Sequence, residues 1–275
     1  MQVQRIAAFS KDGHGGNPAG VVISEKLPDE QQMQSLAAEV GYSETAFAAP
    51  LDDGWRVRYF APAMEVPFCG HATIALGAAL ASSYGAGIFK LQLNDARITV
   101  QGEENGSGLF AALQSPPTRS APASEQLIAA ALDLFSLSAS DLDSRLPPAI
   151  MEAGARHLLL SLSTRSRLAE MDYDMNAGAE LMRTWELTTI ALVYAEAADR
   201  FHARNAFAAG GVFEDPATGA AAAAFAGYLR DVEWPHGGHI QIAQGEDMGV
   251  PSLLYADIPS QPGSSIKVSG AARVI

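Results

Sequence analysis

The chain has 275 residues, of which 48% are hydrophobic and 18% charged, a composition that excludes an intrinsically disordered protein and allows about two domains. Its formal net charge of −13 argues against nucleic-acid binding and against docking on anionic membranes, because both depend on basic surfaces. The single cysteine, Cys69, excludes an internal disulfide and a cysteine-based metal cluster.

The amino-terminal residues lack the pattern of a signal peptide, so a cytoplasmic location is the default expectation. Residues 66–89 contain no Asp, Glu, Lys or Arg and are long enough to span a bilayer, which takes about 20 residues. Their glycines, serines and Pro67 favour a turn followed by a buried helix instead.

The first half of the chain predicts several strands and two helices. One helix begins at Pro28, with Asp29 and Glu30 in its first turn, and ends at Gly41, with its apolar residues at helical spacing. An Ala-rich helix spans residues 72–84 and ends at Gly85. Strands are predicted at residues 2–9, 19–24, 43–49, 55–60, 89–93, 97–101 and 108–113.

A segment rich in Pro and Ser, residues 115–123, is the best candidate for a linker. The predicted division is an N-terminal domain of residues 1–115 completed by about 256–275, a linker at 116–122 and a C-terminal domain of 123–255. In the second half, helices are predicted at residues 124–134, 177–185 and 220–229, and strands at 157–162, 189–194 and 201–207.

The two halves resemble each other around their Ala-rich helices. An Ala-Thr pair lies at the start of each helix, ending in Thr73 and Thr218, and each helix is apolar nearly all round, which indicates burial. A buried helix wrapped by short strands and occurring twice indicates a duplicated α+β unit. Chance similarity between Ala-rich helices is the alternative.

The N-termini of these helices present unpaired backbone N–H groups and a partial positive charge. Two such termini that face one cleft would bind a carboxylate without any Lys or Arg. Alternatively, Thr73 and Thr218 only cap their helices.

Four side chains near these helices could carry chemistry. Glu44 lies among small and apolar residues, where loss of hydration would favour its protonated form and suit it to general acid–base catalysis; a solvated carboxylate is the alternative. Asp215 either caps the second helix or bonds to a substrate. His71 either shuttles a proton or is a hydrogen-bonded loop residue, and Cys69 is either a reactive thiol or a small buried hydrophobe.

Nucleotide-binding and zinc-protease motifs are absent from the sequence. His236 and His239 lie in the segment HGGH, which indicates an exposed turn more than a metal site. The residues therefore predict no metal.

Five motifs carry a resemblance to a known family. They are GNPAGVV at residues 16–22, GYSETAF at 41–47, EVPFCGHAT at 65–73, EDPATG at 214–219 and QGEDMGVPS at 244–252. In this order they resemble the PhzF-like (phenazine biosynthesis-like) proteins over nearly the whole chain. The resemblance implies the α+β fold of the diaminopimelate-epimerase-like proteins. In that fold two similar domains each wrap a curved mixed or antiparallel sheet or barrel around a central helix, and the active site lies between them.

The resemblance also implies a homodimeric isomerase that needs no cofactor or metal. The residue in the position of Glu44 moves a proton between carbons of a small cyclic or unsaturated carboxylic acid, assisted by those in the positions of His71 and Asp215. The substrate contacts implied in the same way are Asn17, Ser43, Cys69, Gly70, Thr73, Thr218, Gly219 and Ala220.

Two departures limit what the resemblance implies. Many family members have serine after Ala-Thr-Gly, where this chain has Ala220, so the phenazine precursor is not transferred and a non-catalytic anion-binding homologue is the alternative. Diaminopimelate epimerases and proline racemases use two thiols, whereas this chain has Cys69 alone and Asp215-Pro216 where the second thiol would lie. A one-base proton shift is the remaining prediction.

Overall fold

The computed structural model describes residues 2–106 and 108–275. The chain divides into two compact units. The first consists of Met1–Gln114 and Ser269–Ile275, and the second of Ser115–Val268.

The first unit contains two helices and eight strands, the last of which lies only partly in this unit. The helices are α1 (Glu30–Val40) and α2 (Gly70–Tyr84). The strands are β1 (Gln4–Ser10), β2 (Asn17–Ile23), β3 (Thr45–Leu51), β4 (Gly54–Phe60), β5 (Glu65–Val66), β6 (Gly87–Gln92), β7 (Arg97–Asn105) and β8 (Gly108–Pro117), the last of which continues into the second unit.

Strand pairing in the first unit alternates between antiparallel and parallel. Strand β1 is antiparallel to β2, and β2 is parallel to β3, with α1 as the connection between them. Strand β3 is antiparallel to β4, β4 is parallel to β6 with α2 in the connection, and β6 is antiparallel to β7. Each parallel step therefore carries a helix, which is the usual form of the long connection that parallel strands require.

Helix α2 is the core of this unit. Its residues from His71 to Ala81 are all buried, and it contacts strands β1, β2, β3, β6 and β7. The sheet therefore wraps around the helix. Two glycines permit the closest approach, because a Cβ atom at Gly102 of β7 would lie 2.1 Å from the carbonyl oxygen of Gly77.

Helix α1 begins two residues later than predicted, at Glu30, and ends before Gly41 as predicted. The Asp29 side chain accepts a hydrogen bond of 2.8 Å from the backbone N–H of Gln32 and caps the N-terminus. Gly41 ends the helix in the left-handed conformation, with φ of 71°. The buried Met33 and Ala37 pack on the apolar side chains of β2, β3 and β4.

The second unit contains the remaining helices and strands. The helices are α3 (Glu125–Leu134), α4 (Arg165–Ala169), α5 (Met175–Thr184) and α6 (Gly219–Asp231). The strands are β9 (Arg119–Pro122), β10 (Ala149–Glu152), β11 (Arg156–Leu162), β12 (Thr189–Ala195), β13 (Arg200–Phe207), β14 (Val212–Asp215), β15 (His239–Gln244), β16 (Ser252–Asp257) and β17 (Ser265–Val274), whose last residues belong to the first unit.

The second unit repeats the pairing order of the first. Strand β10 is antiparallel to β11, β11 is parallel to β12, and β12 is antiparallel to β13. Strand β13 is parallel to β15 across α6, and β15 is antiparallel to β16. Helix α6 is buried along most of its length and contacts β9, β10, β11 and β16. The prediction of a duplicated α+β unit around a buried helix is confirmed.

Several segments differ from the sequence prediction. Residues 116–122, predicted as a linker, form the end of β8 and strand β9, because Pro122 to Arg119 pair antiparallel with Ala149 to Glu152. Residues 256–268 lie in the second unit, and only Ser269–Ile275 return to the first, where Val274 pairs with Ile6. Strands β5, β10 and β14 and helix α4 were not predicted either.

A transmembrane span is not supported by the helices of the described residues, none of which is both long enough and apolar enough to cross a bilayer. Helix α2, which lies in the uncharged stretch of the sequence, ends at Tyr84, before Gly85.

Candidate active site

Glu44 is the residue directly before β3, which begins at Thr45. The turn after Gly41 directs the chain into the sheet, where the backbone oxygen of Glu44 accepts a hydrogen bond of 3.2 Å from Gly20. The side chain is 16% exposed. Its Oε2 atom is buried and has no hydrogen-bond partner among the described residues. Of the two interpretations of Glu44, the structure favours a largely dehydrated carboxylate.

His71, in the first turn of α2, lies beside this carboxylate. Its side chain is 8% exposed, and its Nε2 atom lies 3.4 Å from Glu44 Oε2 and 3.3 Å from Ser43 Oγ. Its Nδ1 atom lies 3.4 Å from the sulfur of Cys69. Two separate motifs of the sequence, GYSETAF and EVPFCGHAT, thus meet in one group, the Glu44 cluster, which consists of Ser43, Glu44, Cys69 and His71.

Helix α2 begins within this cluster. Cys69 is its N-cap residue, has extended backbone angles (φ −144°, ψ 119°) and makes no side-chain capping bond. The first helical residues are Gly70 and His71, so their backbone N–H groups stand at the positive end of the helix dipole. This terminus, whose second residue His71 contacts Glu44 through its side chain, has the character of an anion site.

Thr73 does not cap α2, which corrects one alternative of the sequence analysis. Its hydroxyl group donates to the carbonyl oxygen of Cys69 at 2.7 Å and lies 2.7 Å from the hydroxyl of Tyr59. Both side chains are fully buried, and burial raises the pKa of Tyr59 well above its usual value. Thr73 therefore links α2 to β4, a structural role that differs from the substrate contact expected from the sequence.

Asn17, the remaining candidate of the first unit, is the first residue of β2. It is 2% exposed and pairs with Ala8 of β1. Its amide side chain is therefore part of the interior of the unit.

In the second unit, Asp215 ends β14 and does not cap α6. The N-cap residue is Thr218, whose hydroxyl donates to Asp215 Oδ2 at 2.6 Å. Gln244 closes the loop: its Oε1 accepts from the backbone N–H of Thr218 at 3.1 Å, and its Nε2 donates to the carbonyl oxygen of Asp215 at 2.7 Å. The carboxylate and the helix start are thus held in a fixed relation.

The two helix starts occupy equivalent places in the duplicated units. Cys69 precedes α2 and Thr218 precedes α6, and neither makes a side-chain capping bond. That Asp215-Pro216 takes the place of the second thiol of the two-thiol racemases stays a prediction. Gly219 and Ala220 are the first residues of α6. That both termini bind one carboxylate stays a prediction.

Three residues of the second unit were missed by the site prediction. Gln244 is 2% exposed and begins the motif QGEDMGVPS, which could have identified it. Glu214 and Arg204 form a buried ion pair with Arg204 Nε 3.0 Å from Glu214 Oε1. Burial opposes the charge of Arg204, but its hydrogen bonds to Glu214 outweigh that effect and raise the pKa of the guanidinium. This pair fixes β13 and β14 directly before Asp215.

Potential metal ligands occur together in the Glu44 cluster. One ligand atom each from Glu44, Cys69 and His71 lie within 4.8 Å of one another. His236 and His239 belong to no such group of three among the described residues; His236 Nδ1 instead accepts a hydrogen bond of 2.9 Å from Gly238 within the turn.

Known proteins similar to this chain support the sequence resemblance. The family model "PhzC-PhzF: Phenazine biosynthesis-like protein" matches residues 6–275. An uncharacterized isomerase of Mesorhizobium japonicum is 31% identical over 283 residues, covering 96% of this chain and 93% of the relative. The trans-2,3-dihydro-3-hydroxyanthranilate isomerase of Pseudomonas chlororaphis is 32% identical over 258 residues, covering 91% and 88%.

The fold is also that of solved structures. The crystal structure of the PhzF-family phenazine biosynthesis protein of Bacillus anthracis matches with a TM-score of 0.84 at 22% identity, covering 100% of this chain and 98% of that one. The prediction of a diaminopimelate-epimerase-like fold is confirmed. The match over nearly the whole sequence decides the family. The chain belongs to the PhzC-PhzF family of phenazine biosynthesis-like proteins and is an isomerase.

Proposed function

We propose that this isomerase moves a proton between two carbon atoms of a small cyclic or unsaturated carboxylic acid, with Glu44 as the base and without a cofactor. The proposal depends on one observation above all: Glu44 Oε2 is buried, lacks a hydrogen-bond partner among the described residues and lies 3.4 Å from His71 Nε2. A buried carboxylate oxygen without a partner costs folding free energy, and such groups are retained where they serve a function.

The proton transfer balances within the substrate. Glu44, as the carboxylate, removes a proton from a carbon that the substrate's conjugated system acidifies, and the C–H electron pair shifts into that system. Glu44 then returns the proton to another carbon, so that substrate and product are isomers. His71 Nε2 holds the carboxyl group of Glu44 in position during both steps, and a distance of 3.4 Å leaves room for this contact to tighten with substrate bound.

The N-terminus of α2 is the proposed holder of the substrate carboxylate. The helix has 15 residues and begins at Gly70, and its N-cap side chain leaves the first N–H groups uncapped. These groups supply local positive potential in a chain whose net charge of −13 otherwise repels an anion. A carboxylate bound there also stabilises charge that develops on the substrate during proton removal.

Asp215, Thr218 and Gly219 are proposed as further contacts because of the family resemblance. Their environment in the second unit supports this role, since the Gln244 side chain orders Asp215 and Thr218 relative to α6. Ala220 supplies no hydroxyl group in the first turn of α6. The substrate is therefore expected to differ from that of family members with serine there.

The test is conversion of candidate acids in D2O, followed by NMR, which detects both the isomer and any deuterium that enters carbon. Trans-2,3-dihydro-3-hydroxyanthranilate, the substrate named for the P. chlororaphis relative, is one of the acids to assay. Glu44→Gln should reduce the rate by about 10²- to 10⁴-fold, because it removes the base. Glu39→Gln is the matched control, since Glu39 is an exposed residue of α1.

Two results would reject the proposal. Near-normal turnover by Glu44→Gln, with the fold intact by circular dichroism, would remove Glu44 as the base. Tight binding of an acid without conversion and without deuterium uptake, found for every acid that binds, would favour the alternative of an anion-binding homologue.

A further inference from the structure

The Glu44 cluster contains a set of ligands that the proposed isomerase chemistry does not require as a set. Glu44, Cys69 and His71 each offer one ligand atom, and these atoms lie within 4.8 Å of one another. The chain has one cysteine in 275 residues, and it stands two residues before the histidine that contacts the carboxylate. A proton shift needs the carboxylate and its neighbour, whereas a thiolate is a ligand for soft and borderline metal ions.

We propose that Glu44, Cys69 and His71 bind a zinc ion, and that this ion inhibits the isomerase. One sulfur, one imidazole nitrogen and one carboxylate oxygen form a three-ligand set with an open fourth position, as in catalytic zinc sites. The set does not suit Mg²⁺ or Ca²⁺, which take six or more oxygen ligands.

The distances between the ligand atoms support a tetrahedral site. Zinc bonds of about 2.3 Å to sulfur and about 2.0–2.1 Å to nitrogen and oxygen place neighbouring ligand atoms about 3.3–3.6 Å apart. Glu44 Oε2 and His71 Nε2 are 3.4 Å apart, and Cys69 Sγ and His71 Nε2 are 3.9 Å apart. The ligand atoms of Glu44 and Cys69 lie within 4.8 Å of each other, so side-chain rotations that move atoms by up to about 1 Å complete the site.

Burial and charge favour the ion further. Cys69 and His71 are both buried, and Glu44 Oε2 has no hydrogen-bond partner among the described residues, so one ligand atom is available without breaking a bond. On binding, the Cys69 thiol releases its proton to the solvent. The thiolate and carboxylate then carry two negative charges against the two positive charges of Zn²⁺.

Inhibition follows because the ion takes the oxygen that would remove the substrate proton. This consequence rests on the proposed function, but zinc binding itself does not. Two separate readouts therefore distinguish the two hypotheses.

The binding test uses Co²⁺ as a spectroscopic substitute for Zn²⁺ in the reduced full-length protein. A thiolate-to-cobalt charge-transfer band is expected at one ion per chain, and it can arise only from Cys69, the single cysteine. Excess Zn²⁺ should remove the band. Cys69→Ser should abolish it, and Glu44→Gln and His71→Gln should each weaken binding at least about tenfold, since even residues that only orient ligands contribute that much.

The control is a double variant, His236→Gln with His239→Gln, which removes the other histidine pair that metal could bind. These residues lie in a turn apart from the Glu44 cluster, so the band and the affinity should not change. X-ray absorption of the zinc-loaded wild-type protein gives an answer that needs no variant: one sulfur at about 2.3 Å together with nitrogen or oxygen ligands at about 2.0–2.1 Å.

Any one of three results would overturn the zinc site. These are the absence of a charge-transfer band, a zinc coordination shell without sulfur, and a metal affinity that is unchanged in both Glu44→Gln and His71→Gln. Zinc should also abolish substrate conversion by the wild-type protein. Conversion with no metal binding would reject the zinc site and leave the proposed function standing. Metal binding by a protein that converts no acid would reject the proposed function and leave the zinc site standing.

Discussion

Acidification is expected to destabilise the second unit through one histidine of β11, His157. Its side chain is completely buried, with Nδ1 2.8 Å from the hydroxyl of Thr189 and no hydrogen-bond partner at Nε2 among the described residues. Burial lowers the pKa of His157 from 6.5 to about 3, because a charged imidazole cannot be hydrated there. The folded protein therefore keeps this histidine neutral at pH values where the unfolded chain protonates it.

The size of the effect follows from proton linkage. Below the ordinary pKa of 6.5 the unfolded state binds one more proton than the folded state, until the pH reaches about 3. The contribution to stability is fully present above pH 6.5 and falls by about 1.4 kcal/mol per pH unit below it. Between pH 7 and pH 5 the free energy of unfolding should therefore decrease by about 2 kcal/mol through His157 alone.

Urea unfolding at pH 7 and pH 5, monitored by far-ultraviolet circular dichroism, measures this decrease. His157→Gln removes the titrating group, so its loss of stability on acidification should be about 2 kcal/mol smaller than that of the wild type, whatever its stability at pH 7. His14→Gln, at an exposed position, is the control and should retain the wild-type dependence. Equal decreases in His157→Gln and the wild type would refute the reasoning.

Two further predictions concern stability. Arg204→Met leaves the buried Glu214 without its partner and should cost about 3–5 kcal/mol in urea unfolding, whereas the double variant with Glu214→Leu should recover most of it; a double variant as unstable as the single one would contradict this. Gly102→Ala brings a Cβ atom to 2.1 Å from the Gly77 carbonyl oxygen and should cost at least about 1–3 kcal/mol. Gly87→Ala, whose Cβ atom meets nothing closer than 4.0 Å, is its control, and equal stability of the two variants would contradict the close approach.

The site proposals differ in how far the sequence alone could support them. Glu44, His71 and Asp215 were candidates because they lie in motifs of a known family. The Arg204–Glu214 pair and Gln244 were not, although both control the loop around Asp215. Glu214 and Gln244 do lie in the motifs EDPATG and QGEDMGVPS, but their positioning role depends on contacts between strands distant in the chain, which a motif does not show.

The sequence by itself determined the two buried helices and the repetition of the unit around them. Helices α2 and α6 are apolar nearly all round, so their burial follows from composition and spacing, and their predicted starts lie within two residues of Gly70 and Gly219. Gly41 ended α1 as predicted, because the left-handed conformation at a helix end favours glycine. These features depend on residues close together in the chain.

Only the tertiary structure decided which polar groups meet. Glu44 and His71 are 27 residues apart in the chain, and the path of β3 beside α2 brings their side chains to 3.4 Å. Whether Thr73 and Asp215 cap helices was open from sequence, since Thr and Asp side chains can hydrogen-bond either to the backbone or to other side chains. In the structure the hydroxyl of Thr73 hydrogen-bonds to that of Tyr59, and Asp215 accepts a hydrogen bond from Thr218, because packing fixes which partner is within reach.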